Sequence, residues 1–245
     1  MASPSNRELN TEFQDNEHRN YAYDLDYRMH EYMLRAFGPY MADGSALEMG
    51  CFEGGFTHRL AEIYDDVTVV EGSADLVAVA SKKLGDKVKF YTSWFETFEP
   101  GRLFDNIFLI HTLEHIDDPV ALLARVRSWL SPTGRLFLAV PNAEAASRQI
   151  AVAMGLISHT CAVTEGEALH GHQRTYRMDT LKLDVTRAGL RIGDSGGVLF
   201  KPLANFQFDK AMQSGIIDDA YLNGCYELGK LYPTLCASIY VICFV

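Results

Sequence analysis

Residues 46–57 read Ala46-Leu47-Glu48-Met49-Gly50-Cys51-Phe52-Glu53-Gly54-Gly55-Phe56-Thr57. A short apolar run carrying one acid passes into a glycine-rich turn and then into a helical pattern, as at the first strand and first helix of an open α/β sheet. Outward from this stretch the alternation repeats. A helix is expected from Phe56 to about Tyr64, a strand at Val67–Val70, a helix from Ala74 to Leu84 and a strand at Val88–Tyr91. Phe104–Ile110 and Arg135–Val140 are further strands, separated by a helix that Asp118 caps and Pro119 opens. Strands this apolar, joined by helices, are buried on both faces of a parallel sheet.

Upstream, Met29, Tyr32, Met33, Ala36 and Phe37 follow the apolar stripe of an amphipathic helix starting at Asp26, which Gly38-Pro39 ends. Residues 1–20 are polar. Downstream of Pro141 the rhythm breaks over 142–178, a helix marked by Leu181, Val185 and Ala188 stops at Gly189, and two strands follow at 190–200 and 237–245. No repeat or linker divides the chain. The expected organisation is an N-terminal helical segment, 1–40, ahead of one domain, 41–245, whose insertions at 142–178 and 204–236 cover the carboxyl ends of the parallel strands.

Composition narrows the partners. Of the 245 residues 48% are apolar and 22% charged, and 22 Lys plus Arg against 32 Asp plus Glu leave a net charge of −10. That field repels phosphate backbones and anionic lipid headgroups, so a nucleic acid or membrane partner is not expected. The longest apolar run, Ala237–Val245, is far shorter than the ~20 residues of a membrane helix, and the N-terminus lacks the apolar core of a secretory signal. The five cysteines are scattered, with no Cys-x-x-Cys pair. A cytoplasmic protein with reduced thiols is the expectation; the oligomeric state is not legible.

The first loop fits neither common phosphate motif. No Lys-Ser/Thr follows its glycines, and Phe52 stands where Gly-x-Gly-x-x-Gly has its middle glycine. Glu48 before the loop suits a cationic ligand group, and Glu71, ending the second strand ahead of Gly72 and Ser73, can accept hydrogen bonds from both ribose hydroxyls. An adenosine with a positively charged tail satisfies both.

Taken with Leu113-Glu-His-Ile-Asp-Asp-Pro119, Leu130-Ser-Pro-Thr-Gly-Arg-Leu136 and Val140-Pro-Asn142, these residues resemble a class I S-adenosylmethionine-dependent methyltransferase over roughly residues 40 to 200. The resemblance implies a Rossmann-like, doubly wound, seven-stranded sheet, mostly parallel with an antiparallel last strand, plus helical insertions. It places the methionine tail of the cofactor over Gly50, Cys51 and Gly54, the ribose on Glu71, and the adenine beside Ser93, Trp94 and Phe95. It also implies a lid in which Tyr21 or Tyr23 borders the cofactor.

Methyl transfer to a hydroxyl requires alignment and a base. His111, His115 and His172 are the candidates, His111 also bordering the cofactor. His111, Glu114 and His115 further resemble the Glu-x-x-Glu-His metal pattern of ubiquinone-pathway O-methyltransferases and small-RNA 2′-O-methyltransferases, with histidine replacing the first glutamate and His172 as the missing ligand. Methyltransferases without metal carry Leu-Glu-His here too, so a divalent metal ranks behind a metal-free reading. The function expected is O-methylation of a small molecule such as a sugar or secondary metabolite. N-methylation of a small amine, a non-catalytic adenosyl-binding module and a nicotinamide oxidoreductase are the alternatives.

Overall fold

The computed structural model describes Leu9 and residues 22–245. Tyr21, expected in the lid, lies outside them. The sheet has seven strands: β1 (Ser45–Met49), β2 (Asp66–Glu71), β3 (Val88–Thr92), β4 (Phe104–Ile110), β5 (Leu130–Pro141), β6 (Arg191–Phe200) and β7 (Cys236–Phe244), in the order β3-β2-β1-β4-β5-β7-β6. Pairs from β3 to β5 are parallel, whereas β7 runs antiparallel to both β5 and β6. The expected doubly wound architecture with an antiparallel last strand is therefore observed.

Alternation along β1 sorts its residues between two cores. Ala46 joins one face, where Phe108 and Phe137 stack at 4.8 Å with Phe37 and Phe56 against them. Leu47 and Met49 join the other, with Leu109, Leu138 and Trp129. Burial of both faces explains why the strands are continuously apolar.

Helices α1 (Asp24–Phe37), α2 (Gly55–Ile63), α3 (Ala74–Leu84) and α4 (Pro119–Trp129) match the expected segments. Ser73 and Asp118 cap α3 and α4 through their side chains. Helix α1 starts two residues before the expected Asp26. Its first free N–H groups, of Asp24 and Leu25, donate to the Asp209 carboxylate at 2.9 and 3.0 Å, a cap supplied from the far end of the chain.

The interruption after Pro141 contains α5 (Ala146–Ala153) and α6 (Glu165–Leu169), and a bridge between Asn142 and Tyr176 ties its ends together. Helix α7 (Met178–Arg187) precedes β6, and α8 (Asn205–Gln213) and α9 (Asp219–Leu231) lie between β6 and β7. Among the described residues no helix is long and apolar enough to cross a membrane.

Candidate active site

The strand order reverses between β1 and β4, where loops leaving neighbouring strands diverge and open a crevice. A cavity of about 700 Å³ occupies this end of the sheet. Because β7 runs against β5, its first residues reach the same edge, and Ser238 pairs with Pro141 there.

The first loop is shaped by two contacts. Gly50 sits at φ +83°, and a Cβ on it would lie 2.7 Å from Thr112 Oγ1, so only glycine fits. Thr112 is held in turn by the carbonyls of Met49 and Ile110, both at 3.1 Å. Phe52 adopts φ +48°, a left-handed conformation usually left to glycine, and still lines the cavity. The missing middle glycine thus changes the side chain but not the left-handed turn.

Glu71 clamps this loop. Its carboxylate accepts the Cys51 N–H at 3.1 Å and the Ser73 N–H at 2.9 Å. Burial raises its pKa, and these backbone donors oppose the shift. Glu48 is 1% exposed, and its Oε2 has no hydrogen-bond partner among the described residues. Burial pushes its carboxyl up to about 8, and the Glu71 charge adds to the shift.

Glu48, Gly50, Cys51, Glu71, Gly72, Ser73, Ser93, Trp94, Phe95, His111, His115 and His172 all line this one cavity. Gly54 does not. It precedes α2 at φ +82°, and a Cβ there would sit 3.1 Å from that of Ala80, so this glycine lets the loop pack against α3. Tyr23 and Tyr27 also line the cavity.

The histidines separate into two settings. His111 has φ +49°, and its Nε2 lies 2.8 Å from Ser238 Oγ on β7. Burial, with His30 and His172 nearby, lowers its pKa to about 3, so the ring is neutral. His115 and His172 meet edge to face at 4.6 Å between ring centres. Potential ligand atoms of Glu114, His115 and His172 all lie within 4.8 Å of one another. Glu114 is 1% exposed, neither carboxylate oxygen has a hydrogen-bond partner among the described residues, and burial raises its pKa to about 8. A buried carboxylate without donors is electrostatically incomplete, and a cation beside two imidazoles would complete it.

Tyr23, which the sequence placed in the lid, lines the cavity just before α1, and Asp26, Tyr27 and His30 follow it at i+3, i+4 and i+7; sequence reasoning missed Asp26 and His30. This second stripe was present in the sequence beside the apolar one. Burial lowers the His30 pKa to about 4. Lys201, Asn205 and Ser238 also face the cavity but carry no local motif. Among the described residues the acidic side chains of Asp26, Glu48, Glu71, Glu96, Glu114, Asp117 and Glu167 outnumber the cavity's cations Lys201 and Arg148. Such a wall suits a cationic ligand.

A family model described as a methyltransferase domain matches residues 21–194. A ubiquinone biosynthesis O-methyltransferase of Xanthomonas euvesicatoria pv. vesicatoria (strain 85-10) is 28% identical over 171 residues, covering 67% of this chain and 70% of its own. Among solved structures, an S-adenosylmethionine-dependent methyltransferase from Clostridium acetobutylicum ATCC 824 superposes with a TM-score of 0.59 at 12% identity, covering 96% of this chain and 97% of the other. The N-methyltransferase NodS from Bradyrhizobium japonicum WM9, in complex with S-adenosyl-L-homocysteine, gives 0.59 at 16% identity, with 95% and 97% covered. The two structures share the fold, and the domain match spans most of the chain. The chain belongs to the class I S-adenosylmethionine-dependent methyltransferases, with S-adenosylmethionine as its methyl donor.

Proposed function

We propose that the protein transfers the methyl group of S-adenosylmethionine to a hydroxyl oxygen of a small molecule. The cofactor's methionine tail lies along Gly50 and Cys51, with Glu48 facing its cationic end, Glu71 on the ribose diol and Trp94 and Phe95 beside the adenine. The stripe Tyr23, Asp26, Tyr27 and His30 on α1 forms the lid side of the same cavity. A volume of about 700 Å³ is on the scale of small-molecule sites. The insertions cover the acceptor.

The observation that carries the hydroxyl reading is the convergence of Glu114, His115 and His172 on one point of the cavity wall. In the reaction the acceptor oxygen attacks the methyl carbon in line with the carbon–sulfur bond, and that bond's electron pair stays on sulfur. The hydroxyl proton must leave for a base, which an amine lone pair does not require. His115 or His172 accepts that proton. His111, neutral and fixed to Ser238, shapes the site between cofactor and acceptor. Similarity to ubiquinone biosynthesis O-methyltransferases supports oxygen as the nucleophile.

The donor set also fits a divalent cation, since Glu114 presents two buried oxygens without partners among the described residues, beside two imidazoles. Glu114, His115 and His172 would hold it, and bound there it would act as a Lewis acid on the acceptor oxygen.

The test is methyl transfer from labelled S-adenosylmethionine to catechol and to benzylamine, in wild type, His115→Ala and His172→Ala. Label on catechol, reduced by about 10²-fold or more in at least one variant, is the expected outcome. Label on benzylamine alone, at rates untouched by either substitution, contradicts the reading and favours N-methylation.

A further inference from the structure

Lys201, immediately after β6, is 5% exposed and lines the cavity. The strand delivers it through Leu199, a buried residue at φ +64°, and backbone held in that region marks a site whose surroundings enforce it. Lys201 Nζ donates to Asn205 Oδ1, Asn205 Nδ2 donates to Asp26 Oδ1 at 3.0 Å, and Asp26 Oδ2 accepts the Tyr23 N–H at 2.9 Å. Asp26, Lys201 and Asn205 face the cavity, whereas Asp209 stands outside its lining and caps α1. Methyl transfer uses none of these four. Lys201, Asn205 and Asp209 lie beyond residue 194, where the match to the family ends.

The unused hydrogen-bonding capacity of this network defines what it can hold. An ammonium has three donors and an ionised carboxylate about four lone-pair sites. Among the described residues Lys201 uses one donor, on Asn205, and Asp26 uses two acceptor sites, on Asn205 and Tyr23. Spare donors therefore stand beside spare acceptors, the arrangement a hydroxyl completes because it both gives and receives. Charge disfavours an anion: burial lowers the Lys201 pKa to about 8, and the two acids that oppose the shift, Asp26 and Asp209, outnumber this one base. Arg148, the cavity's other cation, is committed to Glu167 and to the carbonyls of Thr160 and Ala162.

We propose that Asp26, Lys201 and Asn205 form a subsite that reads a neutral hydroxyl on the non-reacting part of the acceptor and discriminates against acceptors carrying a carboxylate or phosphate there. The assignment rests on the reading of the cavity as the place where S-adenosylmethionine and a small hydroxylated acceptor meet. It makes the segment between β6 and α8, which no cofactor motif touches, the determinant of acceptor choice. A site built to pair with a hydroxyl rejects partners that leave its buried groups unmatched.

Three probes share one ring and differ only in the distal group: 3,4-dihydroxybenzyl alcohol, 3,4-dihydroxybenzylamine and 3,4-dihydroxybenzoate. Their binding to protein saturated with S-adenosyl-L-homocysteine is measured by calorimetry in wild type, Lys201→Met and Asn205→Ala. Thermal unfolding checks that each variant is folded, and the partly exposed Asn205 gives a second variant should Lys201→Met fail. The alcohol is expected to bind at least about tenfold more tightly than the acid, and each folded variant to lose most of that ratio. Equal or tighter binding of the acid, tighter binding of the amine than of the alcohol, an unchanged ratio in folded variants, or no binding of any probe would each overturn the subsite. The same samples are assayed for labelled methyl on the ring oxygens. Preference without methylation refutes the O-methyl reading and leaves the subsite standing, whereas methylation without preference does the reverse.

Discussion

Replacing Asp209 with alanine removes a carboxylate that is 8% exposed and holds the start of α1 from the other end of the chain. Tyr23, the residue before the helix, supplies no side-chain hydrogen bond to that turn, so the Asp24 and Leu25 N–H groups lose their only described acceptor. Loss of a helix cap costs about 0.5–2 kcal/mol, and a hydrogen bond to a charged group contributes about 1.5–3 kcal/mol. The two bonds share one carboxylate and are not additive, and alanine also relieves that carboxylate's own desolvation. The expected loss is therefore about 3 kcal/mol, placed between the single-cap and two-bond limits. At about 2–4 °C per kcal/mol for a chain of this size, the unfolding midpoint should fall by roughly 6–12 °C. Calorimetric unfolding measures the total, and hydrogen exchange at the Asp24 and Leu25 amides locates it. Asp209→Asn, which keeps one acceptor oxygen, should recover about half of the loss. A midpoint within about 2 °C of wild type, with protection at those two amides unchanged, would refute the reasoning.

Other perturbations give equally definite expectations. Gly50→Ala forces a Cβ to 2.7 Å from Thr112 Oγ1 at φ +83°, and should lower stability by about 1–2 kcal/mol while abolishing measurable binding of S-adenosyl-L-homocysteine. Glu48 has its carboxyl raised by burial to about 8 in the folded protein, against 4.5 for the free group. Its contribution to stability is complete below the unfolded value and is lost as pH rises toward 8, because the folded state holds the proton longer. Urea midpoints of the ligand-free protein should fall between pH 5 and pH 8, and Glu48→Gln should flatten that fall; an unchanged slope in the variant would show that the carboxyl is not the source. Glu114→Gln and His172→Ala should each weaken Mn²⁺ binding, read by titration of metal-stripped protein, by at least about tenfold. Metal-stripped wild type that takes up no Mn²⁺ would remove the cation from the site.

The βαβ rhythm, the strand limits near the first loop and the part of the cavity wall formed by the strand ends were legible because each depends on residues close in sequence. Gly50, Glu71, Ser93 and His111 end strands or follow them directly, and strand ends are where such sheets bind ligands. Gly54 stands apart from the other loop residues: its position matched the motif, and the structure sets it against Ala80 and outside the cavity lining. What stayed hidden depends on pairings across the chain. Asp209 meets Asp24 from 185 residues away, and His111 meets Ser238 from 127. No periodicity encodes such contacts. The polar stripe on α1 was visible in the spacing from Tyr23 to His30, yet only its first residue, Tyr23, was placed in the lid, because the stronger apolar stripe on the same helix accounts for the rest of the pattern.

Glu71 and the loop it clamps are proposed to hold the adenosyl cofactor. Calorimetric titration of the purified protein with S-adenosylmethionine, S-adenosyl-L-homocysteine and NAD, repeated with Glu71→Ala, tests it most directly. Binding of both adenosyl ligands but not NAD, weakened at least about tenfold by the loss of the hydrogen-bonding carboxylate, is the predicted result. Adenosyl binding that Glu71→Ala leaves unchanged, or binding of NAD in their place, would contradict it.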